Sequence, residues 1–195
     1  PCGKNTAPAI AIAALNIEIN HPEKNLLVLS ADHDIKDEAK FFECLRTANN
    51  YSNKGLLVTF GIVPTKPETG FGYIEVAEKF NINSNEGYLI RSFLEKPDKK
   101  KAAELVSNGM YLWNSGMFMF KTKAIIDEIE KYNPELIKCC SEALRKSKRD
   151  LSFTRLDKEE FSKCQNISID VAVMEKTESS LVIPCDIGWS DIGSW

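Results

Sequence analysis

"NLLVLSADH", residues 25–33, decides how the rest of the chain is read. Leu26, Leu27, Val28 and Leu29 follow one another without a polar break. Such a run is expected of a short strand inside a parallel sheet that is covered on both faces. Upstream, Asn5 or Thr6 can cap a helix over "APAIAIAALNIEI", with Pro8 in the tolerated first turn. That helix is apolar nearly all round and is expected to be buried. Downstream, Asp37 caps a second helix with Phe41, Phe42, Leu45 and Ala48 on one face, and "GLLVTFGIVP" (55–64) is another buried strand. Helix, strand, helix, strand in that order implies parallel strands joined by right-handed crossovers.

Further along the pattern loosens. "GFGYIEVAEKF" and "GYLIRSFLEKP" read as two strands joined by the polar link "NINSNEG". A helix follows from Asp98, with Ala102, Ala103 and Val106 inward and Gly109 as its stop. After the strand "YLWNSGMFMF" (111–120), Thr122 can cap a helix carrying Ile125, Ile126 and Ile129. Pro134 opens another, with Leu136, Ile137, Cys140 and Leu144 as its stripe. "SIDVAVMEK" is expected to be a short helix, "SLVIP" a strand and "DIGWSDIGSW" a loop. No repeat or linker interrupts the chain, and one mixed α/β layer structure accounts for it most simply.

The 195 residues suffice for one full domain. With 43% hydrophobic and 27% charged residues the composition is that of a globular protein, and a net charge of -3 argues against a general nucleic-acid or polybasic membrane surface. No apolar run is long enough to span a membrane. Six cysteines without a C-x-x-C pair read as reduced cytosolic thiols, and two histidines are too few for a His-rich metal centre. Pro1, placed directly ahead of a ready-made helix, and the abrupt "GWSDIGSW" end lead to the expectation of a piece cut from a longer chain.

Several stretches resist a purely structural reading. Asp32 in "SADHD" ends a strand where open α/β sheets bind ligands, and a carboxylate there can hold a divalent cation. Taken alone, the stretch favours Asp32 or Asp34 as a cap of the next turn. In "PTKPETGFGYIE" (64–75), Gly70 and Gly72 flank Phe71 and would let a ligand approach the main chain; an ordinary turn is equally consistent. In "FLEKP" (93–97), Glu95 and Lys96 should point to opposite faces of a strand, which excludes an ion pair between them. A carboxylate there could accept sugar hydroxyls while the ammonium meets a phosphate. Asn114, Ser115 and Gly116 interrupt an apolar strand, as a kink or as a place where something polar docks. In "GWSDIGSW" (188–195), two tryptophans and two glycines surround Asp191, which alone reads best as a local cap in an aromatic turn.

Seven segments, taken in order, resemble the bacterial mannose-1-phosphate guanylyltransferases: "GKNTAPAIAIAAL", "LVLSADH", "PTKPETGFGYIE", "FLEKP", "YLWNSGMF", "SIDVAVMEK" and "GWSDIGSW". The resemblance implies an α/β fold, a Rossmann-like mixed sheet flanked by helices of the nucleotide-diphospho-sugar transferase type. It implies nucleotidyl transfer from GTP to mannose 1-phosphate, giving GDP-mannose and pyrophosphate, with Mg2+ as cofactor. By the same resemblance Asp32 and Asp191 would hold the magnesium. Glu95, Asn114 and the backbone near Gly72 would bind mannose, Lys96 would contact the sugar phosphate, and Asn5 and Thr6 would lie near the guanosine. Asp32, Lys96 and Asp191 would thus carry the catalysis.

Two departures are mild: Lys4 stands for the usual arginine, and Ser30 where proline is common. The family's glycine-rich signature, G-G-x-G-T-R-L-W-P-L-S-R, is expected upstream of residue 1, and any β-helix or isomerase domain after residue 195. Residues 1–195 are therefore expected to be a partial catalytic domain, truncated at both ends and inactive alone. The expected setting is cytoplasmic, without nucleic-acid or membrane partners; homo-oligomerisation of the longer chain stays open. The alternatives are another hexose-1-phosphate nucleotidyltransferase, or a non-catalytic sugar-nucleotide binding module.

Overall fold

Capping side chains set most helix starts. In the computed structural model, which describes residues 1–82, 84 and 86–192, the Asn5 side chain accepts from the Thr6 N–H at 2.8 Å and opens α1 (Thr6–Asn20). Next come β1 (Asn25–Val28) and the two-residue β2 (His33–Asp34). Asp37 accepts from the Lys40 N–H at 3.0 Å to cap α2 (Glu38–Ser52), which leads into β3 (Leu57–Ile62). The middle of the chain holds β4 (Tyr73–Val76), β5 (Tyr88–Leu94), α3 (Lys99–Asn108) and β6 (Tyr111–Lys121). Asp98 caps α3 through the Lys101 N–H at 2.8 Å, and Gly109 ends it at φ +72°, a left-handed turn that suits glycine. There follow α4 (Thr122–Tyr132), α5 (Pro134–Arg145), β7 (Lys148–Asp150), β8 (Phe153–Arg155) and α6 (Lys158–Ser162). A π-helical turn (Asp170–Met174), β9 (Ser180–Cys185) and β10 (Ser190–Asp191) complete the order. Among the described residues no helix is long and apolar enough to cross a membrane.

The chain divides into two compact units. The first, Pro1–Leu26 with Lys121–Glu178, is helical: α1, α4 and α5 pack on one another, and the antiparallel β7–β8 hairpin lies between α5 and α6 in sequence. The stripe expected on α5 is buried, Leu136, Ile137, Cys140 and Leu144, joined by Ala143. Helix α1 departs from expectation. It buries Ala7, Pro8, Ile10, Ala11 and Ala14, yet Ile19 is 72% exposed. An evenly apolar helix gives no asymmetry from which to read its covered face.

The second unit, Leu27–Phe120 with Ser179–Trp195, is built on a mixed sheet of order β1-β6-β3-β9-β5-β4. Every residue of β3 is buried, as a continuous apolar strand should be. It runs parallel to β9 and antiparallel to β6. Strands β1 and β3 are therefore not neighbours, as a simple pair of crossovers would have them; β6 lies between. The four residues of β1 are only half-buried. Gly61 makes the β3 packing possible, because a Cβ there would lie 2.6 Å from Val182 Cγ2 and 2.7 Å from Leu112 Cδ1. On α2 the buried stripe is Phe41, Cys44, Ala48 and Ser52; Phe42, expected inward, is exposed. On α3 it is Ala102 and Leu105 that are buried, while Ala103 is exposed.

Candidate active site

The segment after β1 and the segment after β9 are closed on one another by main-chain bonds within the second unit. Both the Lys36 and Asp37 N–H groups donate to the Ile187 carbonyl, at 3.1 and 3.0 Å. Gly188 turns the chain at φ +64°, with space for a Cβ only 2.9 Å from Lys36 Cβ. Strand β10 then pairs antiparallel with β2, Asp191 opposite His33 and Ser190 opposite Asp34, and the Ile192 N–H donates to the Asp32 carbonyl at 3.1 Å. The last three residues of "GWSDIGSW", like positions 83 and 85 of the "NINSNEG" link, lie outside the described residues.

This zipper brings Asp32 and Asp191 together. One ligand atom each from Asp32, His33 and Asp191 all lie within 4.8 Å of one another. The two carboxylates are exposed and His33 is half-buried. Burial pushes the His33 imidazole below its ordinary pKa, against the opposing pull of Asp191 and Asp32, and its buried Nδ1 has no hydrogen-bond partner in the protein. Two carboxylates give hard oxygen donors with room for further oxygens, a set that fits a magnesium-like cation. A neutral imidazole beside them also suits manganese. His33 is not among the residues expected at the site, although it stands inside "SADHD" next to Asp32.

An aromatic row starts at His33. Its ring meets Trp189 edge-on at 5.0 Å, Trp189 meets Phe71 at 5.4 Å, and Phe71 meets Trp113 at 5.3 Å, all near perpendicular. The row ends beside the second cluster of expected residues. The Asn114 N–H donates to the Gly72 carbonyl at 2.8 Å, and a Cβ on Gly72 would fall 2.7 Å from Glu95 Oε2 and 3.5 Å from Asn114 Cβ. Gly72, Glu95 and Asn114 are thus in contact.

Glu95 and Lys96 correct one expectation. They form an ion pair, Oε1 to Nζ 3.5 Å, with both side chains largely exposed. Alternation of faces does not apply because β5 stops at Leu94 and Lys96 takes the left-handed φ of +44°. The polar interruption of β6 has a local account as well. Ser115 Oγ donates to the Phe60 carbonyl at 2.5 Å and accepts from the Met117 N–H, Asn114 Oδ1 accepts from the Gly116 N–H, and Gly116 turns at φ +68°. Trp113 and Phe118 are core residues.

Asn5 and Thr6 belong to the first unit. Asn5 caps α1, and Thr6 Oγ1 accepts from the Ile169 N–H at 2.9 Å, which ties the helix start to the "SIDVAVMEK" segment.

Comparison with known proteins places the chain in a family. The model of a family described as nucleotidyl transferase matches residues 1–195. The chain is 48% identical over 197 residues to the mannose-1-phosphate guanylyltransferase RfbM of Salmonella typhimurium, covering all of this chain and 40% of that protein. It is 46% identical over 195 residues to the xanthan biosynthesis protein XanB of Xanthomonas campestris, covering all of this chain and 41% of the relative. The chain thus spans about two fifths of the length of these curated relatives. Among solved structures, one described as mannose-6-phosphate isomerase from Helicobacter pylori superposes with a TM-score of 0.84 at 34% identity, over 97% of this chain and 72% of the other.

Proposed function

The chain belongs to the nucleotidyl transferase family, and on that premise we propose that it is part of the catalytic domain of a mannose-1-phosphate guanylyltransferase. In that reaction a phosphate oxygen of mannose 1-phosphate attacks the α-phosphorus of GTP, and GDP-mannose and pyrophosphate leave. The observation that carries the reading is the meeting of Asp32 and Asp191, far apart in sequence, in the unit that also holds the cluster of Gly72, Glu95 and Asn114.

Both reactants are anions. Two unit charges about 4 Å apart repel by about 4 kcal/mol at an effective dielectric near 20, so several such pairs must be neutralised before the reactants can touch. Asp32 and Asp191 would hold Mg2+, which when bound supplies positive charge to phosphate oxygens. Lys96 meets the phosphate of the sugar, an exposed ammonium on a left-handed turn. Glu95 and Asn114 accept and donate to mannose hydroxyls, with Gly72 leaving the backbone open to the ring. No side-chain nucleophile is needed, since phosphoryl chemistry of this kind rests on positioning and charge stabilisation. Six free thiols and a nucleotide substrate accord with the cytoplasm.

The reading is tested by following pyrophosphate release from the full-length protein across a grid of nucleoside triphosphates and hexose 1-phosphates. GTP with mannose 1-phosphate should give the highest turnover, dependent on Mg2+. A clear preference for another pair would replace the substrates and keep the class; no release with any pair would remove the class.

A further inference from the structure

Three buried nitrogens of the aromatic row, His33 Nδ1, Trp189 Nε1 and Trp113 Nε1, have no hydrogen-bond partner in the protein. A buried polar atom left unpaired costs about 1–3 kcal/mol. Nor do these nitrogens pin their rings with a hydrogen bond. What orients the two indoles is packing, and among the described residues Phe71 is the one ring that touches both, at 5.3 Å from Trp113 and 5.4 Å from Trp189. Each indole is joined to a different group. Trp189 precedes β10 and its Asp191, and its ring lies against His33, next to Asp32. Trp113 precedes Asn114 on β6, and Phe71 itself precedes Gly72, whose α-carbon faces the Glu95 carboxylate.

We propose that Phe71 is a positioning residue that couples the two acids, Asp32 and Asp191, to the sugar-binding group of Gly72, Glu95 and Asn114. The proposal rests on the functional reading above and adds to it a link between two ligands. Phe71 is not among the residues assigned to either ligand. A shift of Trp189 when a cation settles between the acids displaces Phe71, and Phe71 carries Gly72 and Trp113 with it. The reverse holds when a sugar phosphate settles at Gly72. Coupling of this kind is reciprocal: each ligand must tighten the other by the same factor.

The test uses the full-length protein, with Mn2+ standing in for Mg2+ so that free cation can be followed by its paramagnetic resonance. Cation affinity is measured with and without saturating mannose 1-phosphate, in the parent protein and in Phe71→Leu, Phe71→Tyr and Trp189→Leu. In the parent, mannose 1-phosphate should lower the cation Kd about fivefold or more. In Phe71→Leu and Trp189→Leu the ratio should fall clearly below the parent value while each ligand still binds alone, what remains being the direct attraction between cation and phosphate, and Phe71→Tyr should keep the parent ratio. If Phe71→Leu does not fold, Trp189→Leu cuts the same row one ring further on and decides alone. A parent ratio of one with both ligands bound, or a parent-like ratio in either leucine variant, overturns the role of Phe71. Calorimetry that finds no mannose 1-phosphate binding to the parent overturns the functional reading instead, and the proposal with it.

Discussion

Asp191 stands directly opposite His33 across the antiparallel pair of β10 and β2, so that the carboxylates of Asp191 and Asp32 share one small volume with an imidazole between them in sequence. Asp32→Asn and Asp191→Asn in the full-length enzyme should each lower kcat/KM by at least about 100-fold and weaken Mg2+ binding, with an unchanged circular dichroism spectrum. Near-normal turnover in either variant would defeat the assignment.

Gly72→Ala separates binding from folding. The added Cβ meets the far end of the Glu95 side chain, which can swing away, so the melting temperature should stay within about 2 °C of the parent. The displaced carboxylate should raise the KM for mannose 1-phosphate about tenfold, a loss of about 1.4 kcal/mol of binding. A KM unchanged in this variant would exclude Glu95 from the sugar site.

Lys96 carries two properties, a charge and a left-handed backbone. Lys96→Ala and Lys96→Gly should raise the KM for mannose 1-phosphate by the same factor, about tenfold, because both remove the ammonium. Their stabilities should differ: glycine accepts φ +44° freely, and its variant should be about 1 kcal/mol more stable than the alanine variant. Chemical denaturation of the pair provides the comparison, and equal stabilities would argue against backbone strain at this turn.

How far these features could be read from the sequence depends on their range. The caps at Asn5, Asp37 and Asp98, the αL stop at Gly109 and the buried strand β3 are local, and the residues that cause them lie within a few positions. The insertion of β6 between β1 and β3 is set by pairing across the whole sheet, and no local pattern announces it. Strands β2 and β10 are two residues long, too short to display an alternation, so a loop was the natural reading of the segment around Asp191. The Glu95–Lys96 ion pair turned on one positive φ at a lysine. Asp32 and Asp191 were found through family resemblance. His33, Phe71 and Trp189 were missed because their partnership exists only after folding, although "GFGY" and "GWSD" show the aromatic residues flanked by the glycine turns that aim them.

Gly61 is the sharpest packing constraint in the sheet. A methyl group at this position meets Val182 Cγ2 and two side-chain atoms of Leu112, both in the core, with nothing flexible to yield. Gly61→Ala should destabilise the protein by about 1–3 kcal/mol. Thermal unfolding would show a lowered midpoint, with the KM for each substrate close to the parent value in the folded fraction. An unchanged midpoint would show that β3 and β9 can separate without cost.

In the helical unit Glu160 accepts from Lys146 and, at 2.7 Å, from Lys163; these bonds hold its carboxyl down from the ordinary 4.5 to about 2. A carboxyl lowered on folding stabilises the folded state above its unfolded pKa, and the contribution is lost as pH falls toward the folded value. The difference in melting temperature between the parent and Glu160→Gln should therefore be largest above pH 4.5 and should close as pH falls toward about 2. A difference constant over that window would mean that neither lysine acts on Glu160 through its charge.

The central place of β9, parallel to β3 and antiparallel to β5, has a bearing on how the protein is made. Both flanking strands leave the ribosome well before their shared partner. At a synthesis rate of about 5–20 residues per second, β3 waits on the order of ten seconds with an open hydrogen-bonding edge. For that interval the nascent chain carries an apolar ribbon ready to join a neighbouring polypeptide, and the cell must keep it solitary until β9 arrives.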